Sequence, residues 1–261
     1  MTHIRPAAVA GTFYPSAPKI LQQQVDDLLK HAKAQPYHPK ALIAPHAGFI
    51  YSGPIAASAY ACLTPYAHQI SRVILIGPSH HVAIRGLALP TVSEFQSPLG
   101  TVTLDSDAVA TLLELPQVHA VDQAHEWEHS LEVHLPFLQS VLTDFSIVPL
   151  VVGDATTSEI TEVLDRVWGS DETLIVISSD LSHYLTYTEA QSLDGLTSKA
   201  IAALQPEKIN NHMACGRKPI MGLLEMARRK GLHCEVLDVR NSGDTAGSKD
   251  RVVGYGAYAF H

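Results

Sequence analysis

The chain has few cysteines and few clusters of basic residues, and both shortages exclude classes of protein. Its three cysteines, Cys62, Cys215 and Cys234, lie far apart and form no CxxC pair. This spacing argues against a disulfide framework or a cysteine-rich zinc module and is typical of a reducing cytoplasm. Lysine and arginine number 18 against 26 acidic residues, and the resulting net charge of −8 argues against a nucleic-acid-binding protein.

Long apolar segments and several common catalytic motifs are missing as well. The sequence has no run of about 18 apolar residues, so we expect no membrane-spanning helix. Residues 1–16 contain no apolar core of signal-peptide length, which favours a cytoplasmic protein. The motifs GxSxG, GxGxxG and the P-loop are absent, so the sequence gives no support for a serine hydrolase, a dinucleotide-binding protein or a P-loop kinase.

Histidine is abundant, with 15 residues, and polar side chains follow three apolar segments that have the length of buried strands. Strands are predicted at residues 40–45, 72–76 and 174–178, and they lead to His46, to His80 or His81, and to Asp180 with His183. Ligands of open α/β sheets bind outside the carboxyl ends of the strands, so these side chains are expected to share one site. Neutral imidazole is the commonest transition-metal ligand, which makes the site a candidate metal centre.

Predicted strands and helices alternate along the chain, as in an α/β fold with a largely parallel sheet. A further strand is expected at 146–152, and helices at 54–63, 106–113, 129–142, 157–168, 188–203, 206–215 and 219–230. The last two strands, 233–241 and 251–259, are expected to form an antiparallel edge. Because no repeat or linker divides the sequence, we predict one domain over residues 1–261, with a central mixed, largely parallel sheet flanked by helices.

The segment HEWEH at residues 125–129 matches the HExxH pattern of zinc peptidases. On one helix, His125 and His129 would share a face, with Glu126 as the base. The predicted helix begins only near residue 129 and no third ligand follows at the usual spacing, which disfavours this interpretation. In the overlapping segment EHSLEVH, His129, Glu132 and His134 would instead frame a site from above.

Two more motifs carry reactive groups, and each has a structural alternative. In SSDLSHY, Asp180 and His183 are either an oriented acid–base pair, or supports for a metal ligand, or members of a structural turn. In CGRKP, Cys215 is either a reactive thiol beside the cation of Arg217 or a buried cysteine at a helix C-terminus, with Gly216 in the left-handed conformation.

Taken together, seven motifs resemble the Memo family, whose bacterial and archaeal members are labelled AmmeMemoRadiSam system protein B. The motifs are RPAAVAGTFYP, APHAGFIYSG, ILIGPSHH, EHSLEVHLPF, SSDLSHY, CGRKPI and NSGD…RVVGYGAYA. The resemblance implies a single α/β domain similar to class III extradiol dioxygenases, which hold non-haem Fe(II) with two histidines and a glutamate.

The resemblance also implies a set of site residues. It identifies His46 and His80 as metal ligands and places a third ligand in the loop before the last strand, where this chain has Asp244 and Thr245 but no cysteine. We hypothesise that Asp244 completes a two-histidine, one-carboxylate set for Fe(II), with copper or zinc as alternative metals. The other residues that it places at the site are His129, His134, Asp180, His183 and Cys215, which stands with Arg217 in the CGR motif.

Two functions from different classes follow, and a zinc peptidase at HEWEH is a weaker third. In the first, the chain is a dioxygenase-like oxidoreductase, with His183 or His129 as the acid–base group and Asp180 as its orienting partner. In the second, the same pocket binds a peptide or partner protein without chemistry. The ligand is an unknown small molecule or peptide, and the family label implies a radical SAM protein and an AMMECR-type protein as partners.

Overall fold

A computed structural model describes residues 3–33 and 37–261 and contains a large mixed sheet and a small three-stranded sheet. The strands are β1 Ile4–Arg5, β2 Ala41–Ala44, β3 Arg72–Pro78, β4 Leu87–Leu89, β5 Glu94–Ser97, β6 Gly100–Thr103, β7 Val118–Ala120, β8 Ser146–Val152, β9 Thr173–Ser178, β10 His183–Leu185, β11 Cys234–Asn241 and β12 Val252–Phe260. The predicted α/β fold with a mixed sheet is confirmed.

Eight α-helices connect and cover these strands in the described part of the chain. They are α1 Pro18–His31, α2 Phe49–Tyr60, α3 Ser106–Leu113, α4 Gln123–Glu126, α5 Leu135–Val141, α6 Thr157–Arg166, α7 Tyr187–Ala202 and α8 Arg217–Lys230. Short 3-10 segments lie at Ala61–Gln69, Glu132–His134, Pro206–Lys208 and Ser242–Asp244. None of the described helices is long and apolar enough to cross a membrane.

The large sheet has the order β10-β12-β2-β9-β3-β8-β4-β7, and β11 pairs with β12. Its centre is parallel, because β2, β9, β3 and β8 run in the same direction. The antiparallel pairing of β11 and β12 matches the edge expected for the last two strands. In the small sheet, β5 and β6 are antiparallel and β1 pairs with β5.

Buried side chains cover both faces of the large sheet, which explains why its central strands are apolar at most consecutive positions rather than at alternate ones. One core packs under α1, α2 and α5 and includes Leu21, Ile55 and Phe137. The other packs under α3, α6, α7 and α8 and includes Leu112, Ile160 and Leu223.

Two helices differ from their predicted bounds at prolines. Helix α2 begins at Phe49 and contains Pro54, whose missing N–H leaves the carbonyl of the exposed Ile50 to water. The helix predicted at 129–142 is shorter, since α5 starts at Leu135 with Pro136 in its first turn.

The prediction of a helix at 206–215 is wrong. Only the 3-10 turn Pro206–Lys208 forms there, and the chain runs irregularly to Cys215 before α8 begins.

Candidate metal centre

Three adjacent parallel strands deliver polar residues to one edge of the sheet. His46 comes two residues after β2, His80 two residues after β3, and Asp180 two residues after β9, which lies between those strands. The rings of His46 and His80 are perpendicular, with centroids 5.2 Å apart. The structure thus brings together the side chains expected at the strand ends.

The hydrogen bonds around His46 determine which ring nitrogen is available to a ligand. Ser178 donates its hydroxyl proton to the carbonyl of Ser130 at 2.5 Å, so its oxygen accepts from His46 Nδ1–H at 2.6 Å. Nδ1 is therefore protonated and Nε2 carries the free lone pair. The buried carboxylate of Asp180 accepts the backbone N–H of His46 at 2.8 Å, which fixes the backbone at the same position.

A carboxylate determines which ring nitrogen of His80 is available in the same way. Glu128 accepts the backbone N–H of His80 at 2.6 Å and Nδ1–H at 2.8 Å, so Nε2 is again the available nitrogen. Burial alone would raise the pKa of Glu128, but the hydrogen bonds from His80 and Ser130 outweigh it and lower the pKa to about 2. Such a carboxylate behind an imidazole is the usual support of a metal-bound histidine.

The third member of the cluster is Cys215. Its sulfur lies 3.3 Å from His46 Nε2 and accepts the backbone N–H of Asp180 at 3.3 Å. One ligand atom each from His46, His80 and Cys215 lies within 4.8 Å of the other two. Burial and the nearby carboxyl of Asp180 raise the pKa of the thiol to about 12, so it is protonated when no cation is present.

Gly216 allows Cys215 to come this close to the sheet. A Cβ at Gly216 would lie 2.6 Å from the carbonyl oxygen of Ser178 and 2.7 Å from Cβ of Ser179. Gly216 has φ −88 and is the N-cap of α8, so the alternative of a left-handed glycine at a helix C-terminus is wrong. The CGR motif therefore needs glycine for close packing rather than for an unusual backbone conformation.

Two cavities border the cluster and meet at Cys215. The first, named here the His183 cavity, has a volume of about 480 Å³ and is lined by residues that include His80, His183, Tyr184 and Cys215. The second, the Arg217 cavity, has a volume of about 300 Å³ and is lined by Ser79, Val82, Cys215 and Arg217, among others. A larger cavity of about 980 Å³ lies between α1 and β11 and contains none of the candidate ligands.

Comparisons with known proteins assign the chain to a family. The family model described as Memo-like protein matches residues 5–259. A MEMO1 family protein of Aquifex aeolicus is 34% identical over 266 residues, covering 97% of both chains. A MEMO1 family protein of Aeropyrum pernix is 36% identical over 281 residues, covering 97% of this chain and 98% of that protein. The chain belongs to the Memo family.

The fold of this Memo-family chain is also similar to that of a protein of known structure, the uncharacterized protein JW3007 from Escherichia coli. The TM-score is 0.52 at 15% identity, and the match covers 82% of this chain and 98% of that one. At this identity the likeness shows the fold alone.

Asp244 does not reach the two histidines, which corrects the hypothesis that it completes the metal site. Its carboxylate caps the 3-10 turn Ser242–Asp244 by accepting the backbone N–H of Asn241 at 2.9 Å. It also accepts the hydroxyl of Tyr187 at 2.5 Å. Within residues 3–33 and 37–261, Asp244 belongs to no group of ligands close enough to hold one ion, whereas Cys215 lies in one group with His46 and His80.

Asp180 and His183 do not form the predicted pair. Asp180 binds the backbone of His46, and burial raises the pKa of its carboxyl to about 7. His183 Nδ1–H instead donates to the carbonyl of Leu181 at 2.9 Å, which leaves Nε2 unprotonated in the His183 cavity.

The remaining predicted histidines differ in their distance from the centre. His129 stacks on His80, with ring centroids 4.6 Å apart, and burial lowers its pKa to about 4. His134 lies in the core, where its Nδ1 is 2.8 Å from the hydroxyl of Tyr60, and it lines neither cavity. His129 therefore packs directly against the candidate ligand His80, whereas His134 lies farther into the core.

HEWEH does not form the helical HExxH zinc site, and its Glu128 and His129 lie close to His80 instead. Helix α4 ends at Glu126, so His125 and His129 do not share a helix face. His125 is buried against β4, with Nε2 3.1 Å from the carbonyl of Ala88. The residue of this segment that contacts a candidate ligand is Glu128, which the sequence motifs did not single out. An acidic residue next to a candidate histidine was the available signal.

Proposed function

We propose that this chain binds a transition-metal ion through His46, His80 and Cys215. We further propose that the protein is an oxidoreductase that uses this ion. The observation that carries the proposal is that each of the two imidazoles is held by a hydrogen bond at its Nδ1. Ser178 and Glu128 each engage an Nδ1, so two Nε2 lone pairs are available beside the thiol of Cys215. Three soft or borderline donors within 4.8 Å suit a transition metal better than magnesium or calcium.

The donors also bear on the identity of the metal. The resemblance implies Fe(II), which in its commonest protein sites has two histidines and a carboxylate. Here a thiol replaces the carboxylate, and thiolate with imidazole also suits zinc and copper. When bound, the metal would supply an electrophilic and, for iron or copper, a redox-active centre. Fe(II), copper and zinc are therefore the ions to compare.

His183 is the residue that we assign to proton transfer. Its Nδ1–H is engaged by Leu181, so Nε2 can accept a proton from a ligand in the His183 cavity. His129 is less suited to this role, because it stacks on His80 and lines neither cavity. Asp180 holds the backbone of His46 and the thiol of Cys215 in place instead of orienting His183.

Metal analysis after anaerobic purification and loading with Fe(II), copper or zinc tests the proposal. We expect about one ion per chain in the parent protein and much less in His46→Ala and His80→Ala. His119→Ala, which changes an exposed histidine on β7, is the matched control. A parent protein that binds none of the three ions would overturn metal binding.

Oxygen consumption then separates the enzyme from the binding module. The metal-loaded protein is mixed with catechol-like chelating compounds under air, and uptake that depends on His183 supports an oxidoreductase. A protein that takes up no metal but captures a peptide or partner protein tightly would instead be a binding module. The radical SAM and AMMECR-type partners and the cytoplasmic location remain predictions.

Glu128→Gln should lower the affinity for the metal by about 10- to 100-fold, because the carboxylate behind His80 would be lost. The amide keeps the size of the side chain but can present an N–H to His80 Nδ1, which favours the wrong tautomer. Competition with a chromophoric chelator measures the affinity. Glu126→Gln, at an exposed position two residues away, should match the parent protein. Equal affinities for both variants would contradict the role assigned to Glu128.

A further inference from the structure

Arg217 lacks the ion pair that most other arginines of the described chain form. It is half-buried, its guanidinium forms no ion pair with a described carboxylate, and the hydrogen bond of its guanidinium within the described chain goes to Met221 Sδ at 4.0 Å. Apart from Arg251, whose guanidinium lies 5.6 Å over the ring of Tyr184, every other arginine forms an ion pair. A partly desolvated cation without a partner is costly in the absence of an anion.

The neighbouring charges do not satisfy Arg217. Lys218 binds Asp154 at 2.9 Å and the carbonyl of Gly153 at 3.1 Å, so this carboxylate is already engaged. The first turn of α8 contains no acidic residue. Two cations at the start of a helix oppose its dipole, so stability alone does not explain Arg217 at this position.

Arg217 lies in the wall of the Arg217 cavity, which it shares with Cys215. The cavity holds about 300 Å³, and its walls combine the apolar side chains of Val82, Ile84 and Pro219 with the ion pair of Lys218 and Asp154. Arg217 is thus the cation of this cavity without a carboxylate partner, and a guanidinium binds a carboxylate or phosphate through charge-assisted hydrogen bonds. The loop that carries His80 contributes Pro78 and Ser79 to the same cavity, so its occupant lies next to the metal centre.

We propose that Arg217 binds the anionic group of a small organic ligand, a carboxylate or a phosphate, while another part of that ligand reaches the metal centre. The proposal deepens the proposed function and rests on it for the metal-bound end of the ligand. The planar guanidinium is suited to two parallel hydrogen bonds with either anion. Arg217 is thereby a specificity residue rather than a metal ligand, and it selects acidic ligands over neutral ones.

Titration of the metal-free protein with inorganic phosphate and with acetate, at constant ionic strength, tests the anion site directly. The concentration dependence of Tm gives an apparent Kd for each anion. We expect saturable stabilisation by at least one anion and a loss of about 10-fold or more in Arg217→Gln. Arg217→Lys should retain part of the binding, because the charge remains but the paired geometry is lost.

Arg228→Gln is the matched control, since Arg228 is an exposed arginine on the same helix with an ion pair to Glu207 at 3.9 Å. It should bind phosphate and acetate like the parent protein. Stabilisation by phosphate alone or acetate alone identifies the class of anion. Equal stabilisation of the parent protein and Arg217→Gln, or saturation by neither anion, overturns the proposal.

Metal content of the same variants separates the two proposals. Arg217→Gln should take up metal like the parent protein, because Arg217 contributes no ligand. If the parent protein binds no metal but shows anion binding that depends on Arg217, the proposed function fails and the anion site stands. If the parent protein binds metal but neither anion, the anion site is overturned and the proposed metal binding stands.

Discussion

Glu132→Ala is expected to lower the free energy of unfolding by about 3 to 5 kcal/mol, because it would leave a buried arginine without its carboxylate. Glu132 is 0% exposed and Arg5 is 4% exposed, and the two form an ion pair. The carboxylate also accepts the backbone N–H groups of Ala8 at 2.8 Å and Val9 at 3.0 Å, and the hydroxyl of Tyr14 at 2.5 Å. All of these donors would lose their acceptor at once.

Urea denaturation of parent and variant measures this loss. Glu126→Ala removes an exposed glutamate six residues earlier and should change the free energy of unfolding by less than about 0.5 kcal/mol. The double variant Arg5→Met with Glu132→Met should recover part of the stability, since apolar groups replace both charges. If the double variant is no more stable than Glu132→Ala, the loss of unfolding free energy comes from the cavity and the unpaired backbone N–H groups rather than from the unpaired charge.

This ion pair connects the N-terminal segment to the candidate metal centre. Arg5 also donates to the carbonyls of His125 at 2.8 Å and Glu128 at 2.7 Å. Further along the segment, the ring of Phe13 lies 4.7 Å from that of His129. Loss of Glu132 should therefore loosen the segment that positions Glu128 as well as lower the stability.

The sheet and two of the three candidate ligands could be predicted because they depend on local sequence. The predicted strand at residues 146–152 matches β8 at both ends, since a strand that is buried on both faces reads as a nearly continuous apolar run. His46 and His80 follow such runs by two residues, so the end of the strand fixes their position in space. Parallel neighbours then place both at one edge of the sheet.

The third candidate ligand could not be predicted in this way, because no strand delivers it. Cys215 follows an irregular segment, and its position depends on the tight packing of Gly216 against the end of β9. Asp244 was the candidate because the family resemblance places a ligand in the loop before the last strand, but its carboxylate caps its own turn. The sequence does not show which of two polar side chains will be occupied by local hydrogen bonds.

Cys215→Ser is expected to weaken metal binding by about 100-fold or more, because losing even an outer partner of a ligand costs 10- to 100-fold. The hydroxyl of serine nearly preserves the volume of the thiol but is a poor ligand for copper, zinc or iron in this setting. Asp244→Ala should leave the affinity unchanged and cost about 1 kcal/mol of stability, since it removes only a cap.

Chelator competition measures the metal affinity of both variants, and urea denaturation measures their free energy of unfolding. The structure requires opposite outcomes: Cys215→Ser loses metal and keeps most of its stability, whereas Asp244→Ala loses some stability and keeps its metal. The reverse pattern would return the third ligand to the loop before β12. It would also require the carboxylate of Asp244 to leave Asn241 and Tyr187 when the ion binds, because both of its oxygens now accept hydrogen bonds from them.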